Sequence, residues 1–155
     1  SSTLKHNIAE YLSNYRMLND YIDVGGGKVI DLRVDIDLLI QNSTTQGEVV
    51  SNVITHVKEF FSVDRNEMGA LLNISELISK IVSQAGVTNV VDIKLFNKVG
   101  GRYSNSVISQ PLLADNQIYL KDGAVFFQPD EIAQVRFPSK DIRVRVKQGE
   151  NVTYN

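Results

Sequence analysis

Residues 28–40 carry a long alternating pattern of aliphatic and charged side chains. Six aliphatic residues recur at strict two-residue intervals: Ile30, Leu32, Val34, Ile36, Leu38 and Ile40. Because successive side chains of a strand point to opposite faces, these six must share one face of a strand. Their burial would contribute roughly 9 to 18 kcal/mol before chain entropy is subtracted. The pattern therefore predicts a long, half-buried strand that anchors the fold.

Two other periodicities extend this prediction to the rest of the chain. Apolar residues at steps of three and four predict helices over 4–18, over 49–61 and from Asn73 to about Val82. The last of these is expected to have Asn73 as its N-cap and Gly86 as its C-terminal cap. Two-residue alternation predicts strands over 87–96 and 142–147, and an Asp-Gly pair predicts a hairpin joining 118–120 to 124–127. Consecutive helices between strands favour an α+β two-layer sandwich, with a mainly antiparallel sheet and helices on one face.

The domain organisation expected from the sequence is simple. A chain of 155 residues has the length of one domain with one core. The glycine- and serine-bearing segment 97–116 is predicted to be an inserted loop, and the aperiodic segment 148–155 a mobile tail. Because the chain opens with Ser1 rather than methionine, we expect a single assembly domain that is a fragment of a longer protein.

Composition narrows the function classes. The 16 basic and 18 acidic residues nearly balance, which argues against nucleic acid as a partner. No apolar run approaches the roughly 20 residues that a membrane-spanning helix needs, so no membrane association is expected. The chain has no cysteine, which excludes disulfides and zinc-cysteine sites.

The polar face of the first strand is the first place to look for chemistry. Asp31, Asp35 and Asp37 lie on it together with Arg33, and paired carboxylates on one face can bind a metal or a small ligand. The same mixture of charges is what a solvated sheet surface requires, and we interpret this polar face of the strand as solvent-exposed surface. A small-molecule or carbohydrate-binding module that uses the three acids remains the alternative function.

No constellation for catalysis emerges from the sequence. The two histidines, His6 and His56, lie far apart and have no partner at metal-ligand spacing. No Gly-x-Ser-x-Gly nucleophile elbow occurs, and the glycine run 25–27 precedes a strand, whereas a phosphate-binding loop opens a helix. The chain is therefore predicted not to be an enzyme and to need no cofactor or metal.

Four segments follow one another in a distinctive order: NIAEYLSNYRMLND, KVIDLRVDIDLLI, VVSNVITHVKEFF and NISELISKIVSQAGVTNVVDIKL. This succession resembles the carboxyl-terminal region of the baseplate J-like family, to which baseplate wedge proteins of contractile-tailed bacteriophages belong. The most specific parts are the Ile-Ser-x-Leu helix start and the Ala-Gly-Val-x-x-Val transition into a strand, residues 85–90. The resemblance covers about residues 8–95, and the segment after Asn97 departs from it.

This resemblance implies a structural subunit of the virion. Such a subunit would self-associate, contact other baseplate wedge proteins in a ring around the hub, and carry no catalytic residues. Predicted contact surfaces are the loop 97–116, the edge strand 142–147 and the first helix. The candidate interface residues are Arg143, Arg145, Lys147, Val107, Ile108, Leu112 and Leu113.

Overall fold

A computed structural model of the chain describes residues 27–41, 45–62 and 69–148. The predicted helix over 4–18 lies outside the described residues. Of the predicted tail over 148–155, only Gln148 is described, and it belongs to a strand. The strands are β1 (Lys28–Ile40), β2 (Leu71–Asn73), β3 (Val87–Lys98), β4 (Ala124–Phe126), β5 (Glu131–Gln134) and β6 (Ile142–Gln148). The helices are α1 (Gln46–Phe60), α2 (Ile74–Val82) and the single turn α3 (Pro138–Asp141).

Strand β1 lies at the centre of a four-stranded mixed sheet. It pairs with β3 antiparallel on one side, from Asp31 opposite Lys98 to Ile40 opposite Val87. On its other side it pairs in parallel first with β5 and then with β6. The turn α3 separates β5 from β6, so these two short strands follow one another along the same edge of β1. The predicted α+β class is confirmed.

The main core lies between this sheet and the helices. The six aliphatic residues of the β1 pattern are at most 1% exposed. Helix α1 packs against β6 and α2 against β3. The buried stripe of α1 consists of Val49, Val53, Val57 and Phe60. The alternation of β1 and the helical period of α1 therefore converge on one apolar layer, as their sequences predict.

Helix α2 begins at the predicted cap. The side chain of Asn73 accepts a hydrogen bond from the backbone N–H of Glu76 at 3.3 Å, which satisfies a donor that the first helical turn leaves free. The helix ends at Val82 with Ser83 as its C-cap. Gly86, expected to be the cap, lies further along with φ of +87° and turns the chain into β3.

A second sheet of two strands is not predicted by the sequence. Strand β2 pairs antiparallel with β4, which follows the turn at Asp122 and Gly123. Both turn residues have positive φ, 54° and 74°, as expected for a tight hairpin turn. The predicted partner strand over 118–120 is reduced to an isolated bridge between Leu112 and Ile118, so in this respect the hairpin prediction is wrong.

One position of β3 also departs from the prediction. The alternation predicts Val91 on the buried side with Ile93 and Leu95, yet Val91 is 60% exposed. The register shifts there, because Asp37 pairs with Asp92 while Leu38 pairs with Val90. This irregularity leaves Val91 without a partner on β1 and turns its side chain outward, as β-bulges do.

Candidate protein interface

Strand β6 carries the cationic row that the sequence singled out. Arg143, Arg145 and Lys147 are exposed and alternate with the half-buried Val144 and Val146. In the register of the sheet, Arg143 lies beside Asp35 and Arg145 beside Asp37 on β1. The acidic and basic rows are therefore lateral neighbours in the sheet.

In the part of the chain that the structure describes, only Arg145 of these three cations forms an ion pair with a carboxylate. Arg145 donates from two nitrogens to both oxygens of Asp37, at 2.9 and 3.2 Å, and these hydrogen bonds raise the pKa of its guanidinium. Asp35 is bound in the same two-pronged way by Arg33, at 3.1 and 3.2 Å. Among the described residues, Arg143 and Lys147 therefore have no carboxylate within ion-pair distance.

The outer side of β6 borders a groove. Within the described part of the chain, β6 pairs with β1 and with no other strand. A shallow groove of about 820 Å³, largely open to solvent, lies between α1 and β6. The half-buried residues Val50 and Ile54 of α1 and Val144 and Val146 of β6 contribute its apolar lining. An open strand edge beside an apolar floor is a surface to which another polypeptide can add a strand.

Asp31 does not belong to the solvated face to which the sequence assigned it, and that prediction is wrong. It is fully buried, at 0% exposure. Its Oδ2 accepts from the backbone N–H of Ser104 at 2.7 Å, and its Oδ1 accepts from Nε2 of Gln134 at 2.6 Å. The long segment after β3 thus crosses over the start of β1 and covers its polar face.

The three acids of β1 consequently bind three separate sets of partners. Asp31 is enclosed by Ser104 and Gln134, while Asp35 and Asp37 each bind an arginine. Among the residues that the structure describes, no group of three histidine, cysteine, aspartate or glutamate side chains could hold a metal ion.

A cluster of aromatic and cationic residues beside Asp31 was not found from the sequence. The hydroxyl of Tyr103 donates to Oδ2 of the buried Asp141 at 2.7 Å, and its ring contacts Phe137 edge to face at 5.4 Å. Burial and the hydrogen bond to Asp141 raise the pKa of Tyr103 to about 12. Lys98 and Lys140 lie 5.3 and 5.7 Å from the centre of the Tyr103 ring. No local pattern reveals this cluster, because its members come from β3, the following loop and α3.

The candidate residues of the loop divide between surface and core. Val107 and Leu113 are about half exposed, and Leu112 is half-buried. Ile108 is 4% exposed, and its backbone N–H donates to Oδ1 of the buried Asn97 at 2.7 Å. Ile108 therefore belongs to the core and is not available as a contact residue, contrary to the prediction.

An apolar patch that the sequence did not predict lies on the two-stranded sheet. Leu71 and Phe126 are direct cross-strand partners, yet they are 55% and 43% exposed. Gln110 joins the main chain of Tyr119 to that of Phe126, since its amide donates to the carbonyl of Tyr119 and its Oε1 accepts from the N–H of Phe126. We call Leu71 and Phe126 the hairpin patch.

Comparisons with known proteins add no assignment. No protein-family model and no curated protein matches this sequence. In the described ranges, no helix is both long enough and apolar enough to cross a membrane.

Proposed function

We propose that this chain is a structural subunit of the baseplate of a contractile phage tail. In this role it would associate with further copies of itself and contact other wedge proteins in a ring around the hub, within a virion assembled in the host cytoplasm. The link to baseplate wedges depends on the sequence resemblance over residues 8–95. The geometry supports the more general part of the proposal, a domain that acts by making protein contacts.

The observation that carries the proposal is the hairpin patch. Leu71 and Phe126 adjoin across a strand pair and are both about half exposed. Adjacent exposed apolar side chains favour association, because exposing them to water has a free-energy cost that association removes. The patch lies on the two-stranded sheet, whereas the cationic row lies on β6 of the main sheet. A subunit of a ring built by head-to-tail contacts needs two different contact surfaces.

The acids of β1 supply no observation in favour of a ligand-binding module. Asp35 and Asp37 are occupied by arginines, and Asp31 is covered. We therefore take assembly as the function and propose that the chain has no enzymatic activity.

Light scattering over a concentration series tests self-association. We expect the average mass of the wild-type protein to rise with concentration, and the double variant Leu71→Ser/Phe126→Ser to remain at a lower mass. Val91→Ser is the matched control, since Val91 is 60% exposed but lies on β3, outside the patch. A monomeric wild type at every concentration would contradict self-association through this part of the protein.

Electron microscopy of intact tails tests the baseplate role. Tails carrying a labelled copy of this chain are expected to show the label in a ring at the baseplate. A label along the tail tube or on the capsid would contradict the assignment.

A further inference from the structure

The outer edge of β6 can be compared directly with its inner edge. On the inner side, β1 presents the order Val34, Asp35, Ile36, Asp37 and Leu38 next to β6. The aliphatic members of that order are buried in the apolar layer that α1 covers, while the two aspartates lie on the opposite face beside Arg143 and Arg145. Strand β1 therefore shows the side-chain pattern that β6 accepts as a neighbour.

The outer side of β6 repeats the features that match this pattern. Val144 and Val146, together with Ile54 of α1, line the apolar floor of the groove. On the opposite face, Arg143 and Lys147 have no carboxylate partner among the residues that the structure describes. A second strand with alternating aliphatic and acidic residues would cover the floor and place its acids beside these cations.

A second copy of β6 does not meet these requirements. Pairing two β6 strands would set a row of arginine and lysine beside an identical row, and like charges opposite one another in a sheet are destabilising. The edge thus favours an acidic strand from a different segment over self-pairing.

We propose that the outer edge of β6 binds an extended segment of another wedge protein, in which aliphatic and acidic side chains alternate. The segment adds a strand to the main sheet, with its aliphatic side chains over the α1–β6 groove and its acids beside Arg143 and Lys147. This inference rests on the proposed assembly function, for which it specifies the chemistry of one partner.

A fluorescent peptide with the sequence of residues 33–39, RVDIDLL, is a suitable probe because β1 defines the accepted pattern. Fluorescence anisotropy with the whole 155-residue chain is expected to show saturable binding that weakens as salt is added. The matched control peptide is RVKIKLL, in which lysines replace both aspartates, and it is expected not to bind. Equal binding of the two peptides would overturn the proposal.

Variants of the protein locate the bound peptide. Arg143→Glu/Lys147→Glu is expected to weaken binding about tenfold, because one of the two peptide aspartates lies beside Arg143 or Lys147 and that cross-strand charge pair becomes repulsive. Lys94→Glu, a reversal of an exposed cation on β3, is expected to leave binding unchanged. Ile54→Lys should weaken binding by interrupting the apolar floor, and urea unfolding of each variant verifies that it folds. Unchanged binding in the Arg143/Lys147 variant would overturn the proposal.

The remaining outcomes separate this inference from the assembly function. Absence of peptide binding in a protein that self-associates by light scattering would overturn the edge proposal and leave the assembly proposal intact. Peptide binding by a protein that stays monomeric and is missing from labelled tail baseplates would overturn the assembly proposal, and with it a wedge protein as the source of the segment, while the acidic strand would stand as the ligand of the edge. A peptide of residues 4–18 that binds the groove in place of RVDIDLL would assign the site to the chain's own amino-terminal segment and overturn the inference.

Discussion

At the scale of single residues, Asp31 is the position where an apparently exposed strand face is buried. Two donors from distant segments, the N–H of Ser104 and the side-chain amide of Gln134, are aimed at its two oxygens. In Asp31→Asn one of these donors would face an NH₂ group and lose its acceptor. We expect the free energy of unfolding to fall by about 1 to 3 kcal/mol, the cost of a buried unsatisfied polar group, as measured by urea unfolding.

Asp35→Asn is the control for this prediction. Asp35 lies on the same face of the same strand, but it is partly exposed and its partner is the neighbouring Arg33. Partly exposed ion pairs of this kind contribute about 0 to 1 kcal/mol. If both variants lowered the free energy of unfolding equally, the contacts of Asp31 with Ser104 and Gln134 would contribute no more to stability than the partly exposed ion pair of Asp35.

At alkaline pH, the free energy of unfolding is expected to depend on the protonation state of Tyr103. Its pKa is raised from 10 in the unfolded chain to about 12 in the folded protein, mainly by burial and by the hydrogen bond to Asp141. The folded state therefore holds the phenolic proton more tightly. The stabilising contribution is complete below about pH 10, the ordinary pKa of tyrosine, and it is lost as the pH rises toward 12.

Tyr103→Phe tests this dependence. The difference in the free energy of unfolding between wild type and variant should be constant below about pH 10 and shrink at higher pH. Tyr119→Phe, at a half-exposed tyrosine, serves as the control. A wild-type minus Tyr103→Phe difference that does not vary across this range would contradict the assignment of the raised pKa.

At the scale of elements, two glycines are expected to respond in opposite directions to the same substitution. Gly123 has φ of +74°, and an added Cβ would lie 2.7 Å from Oγ of Ser75. Gly123→Ala should lower the free energy of unfolding by more than about 1 kcal/mol. Gly47 lies in helix α1, where an added Cβ would meet no atom within 4 Å, so Gly47→Ala should raise it by about 0.5 to 1 kcal/mol. Thermal unfolding of both variants measures the contrast, and a shift in the same direction for both would contradict it.

The elements that could be predicted from sequence are those with one buried face. Strands β1 and β6 alternate, and α1 has a helical apolar stripe, because each faces the core on one side. Strand β5 could not be predicted, since all four of its residues are buried and no period results. Strand β2 has three residues, too few to show a period.

The same physical reason limits prediction of the candidate site. The cationic row of β6 and the acids of β1 are visible because each belongs to one alternating strand. Burial of Asp31 depends on Ser104, 73 residues away, and that contact leaves no local signal. The hairpin patch depends on the pairing of Leu71 with Phe126, and neither residue lies in a segment with a clear period.

At the scale of the whole molecule, β1 is the strand on which the main sheet depends. It pairs with β3 on one side and with β5 and β6 on the other, whereas β2 and β4 pair with each other in a separate sheet. The hydrogen bonds of β1 can break only when the main sheet opens. In native-state hydrogen exchange, we therefore expect the β1 amides to exchange with the free energy of global unfolding and the β2–β4 amides with a smaller one.

Ile36→Ala extends this prediction to the core. Ile36 is 1% exposed at the middle of β1, and its truncation should lower the free energy of global unfolding by about 2 to 5 kcal/mol. The exchange free energies of the β1 amides should fall by the same amount, because those amides report on global opening. Val91→Ala, at the exposed bulge of β3, should change both by less than about 0.5 kcal/mol. Exchange of β1 amides through local openings that Ile36→Ala does not affect would contradict the central role of β1.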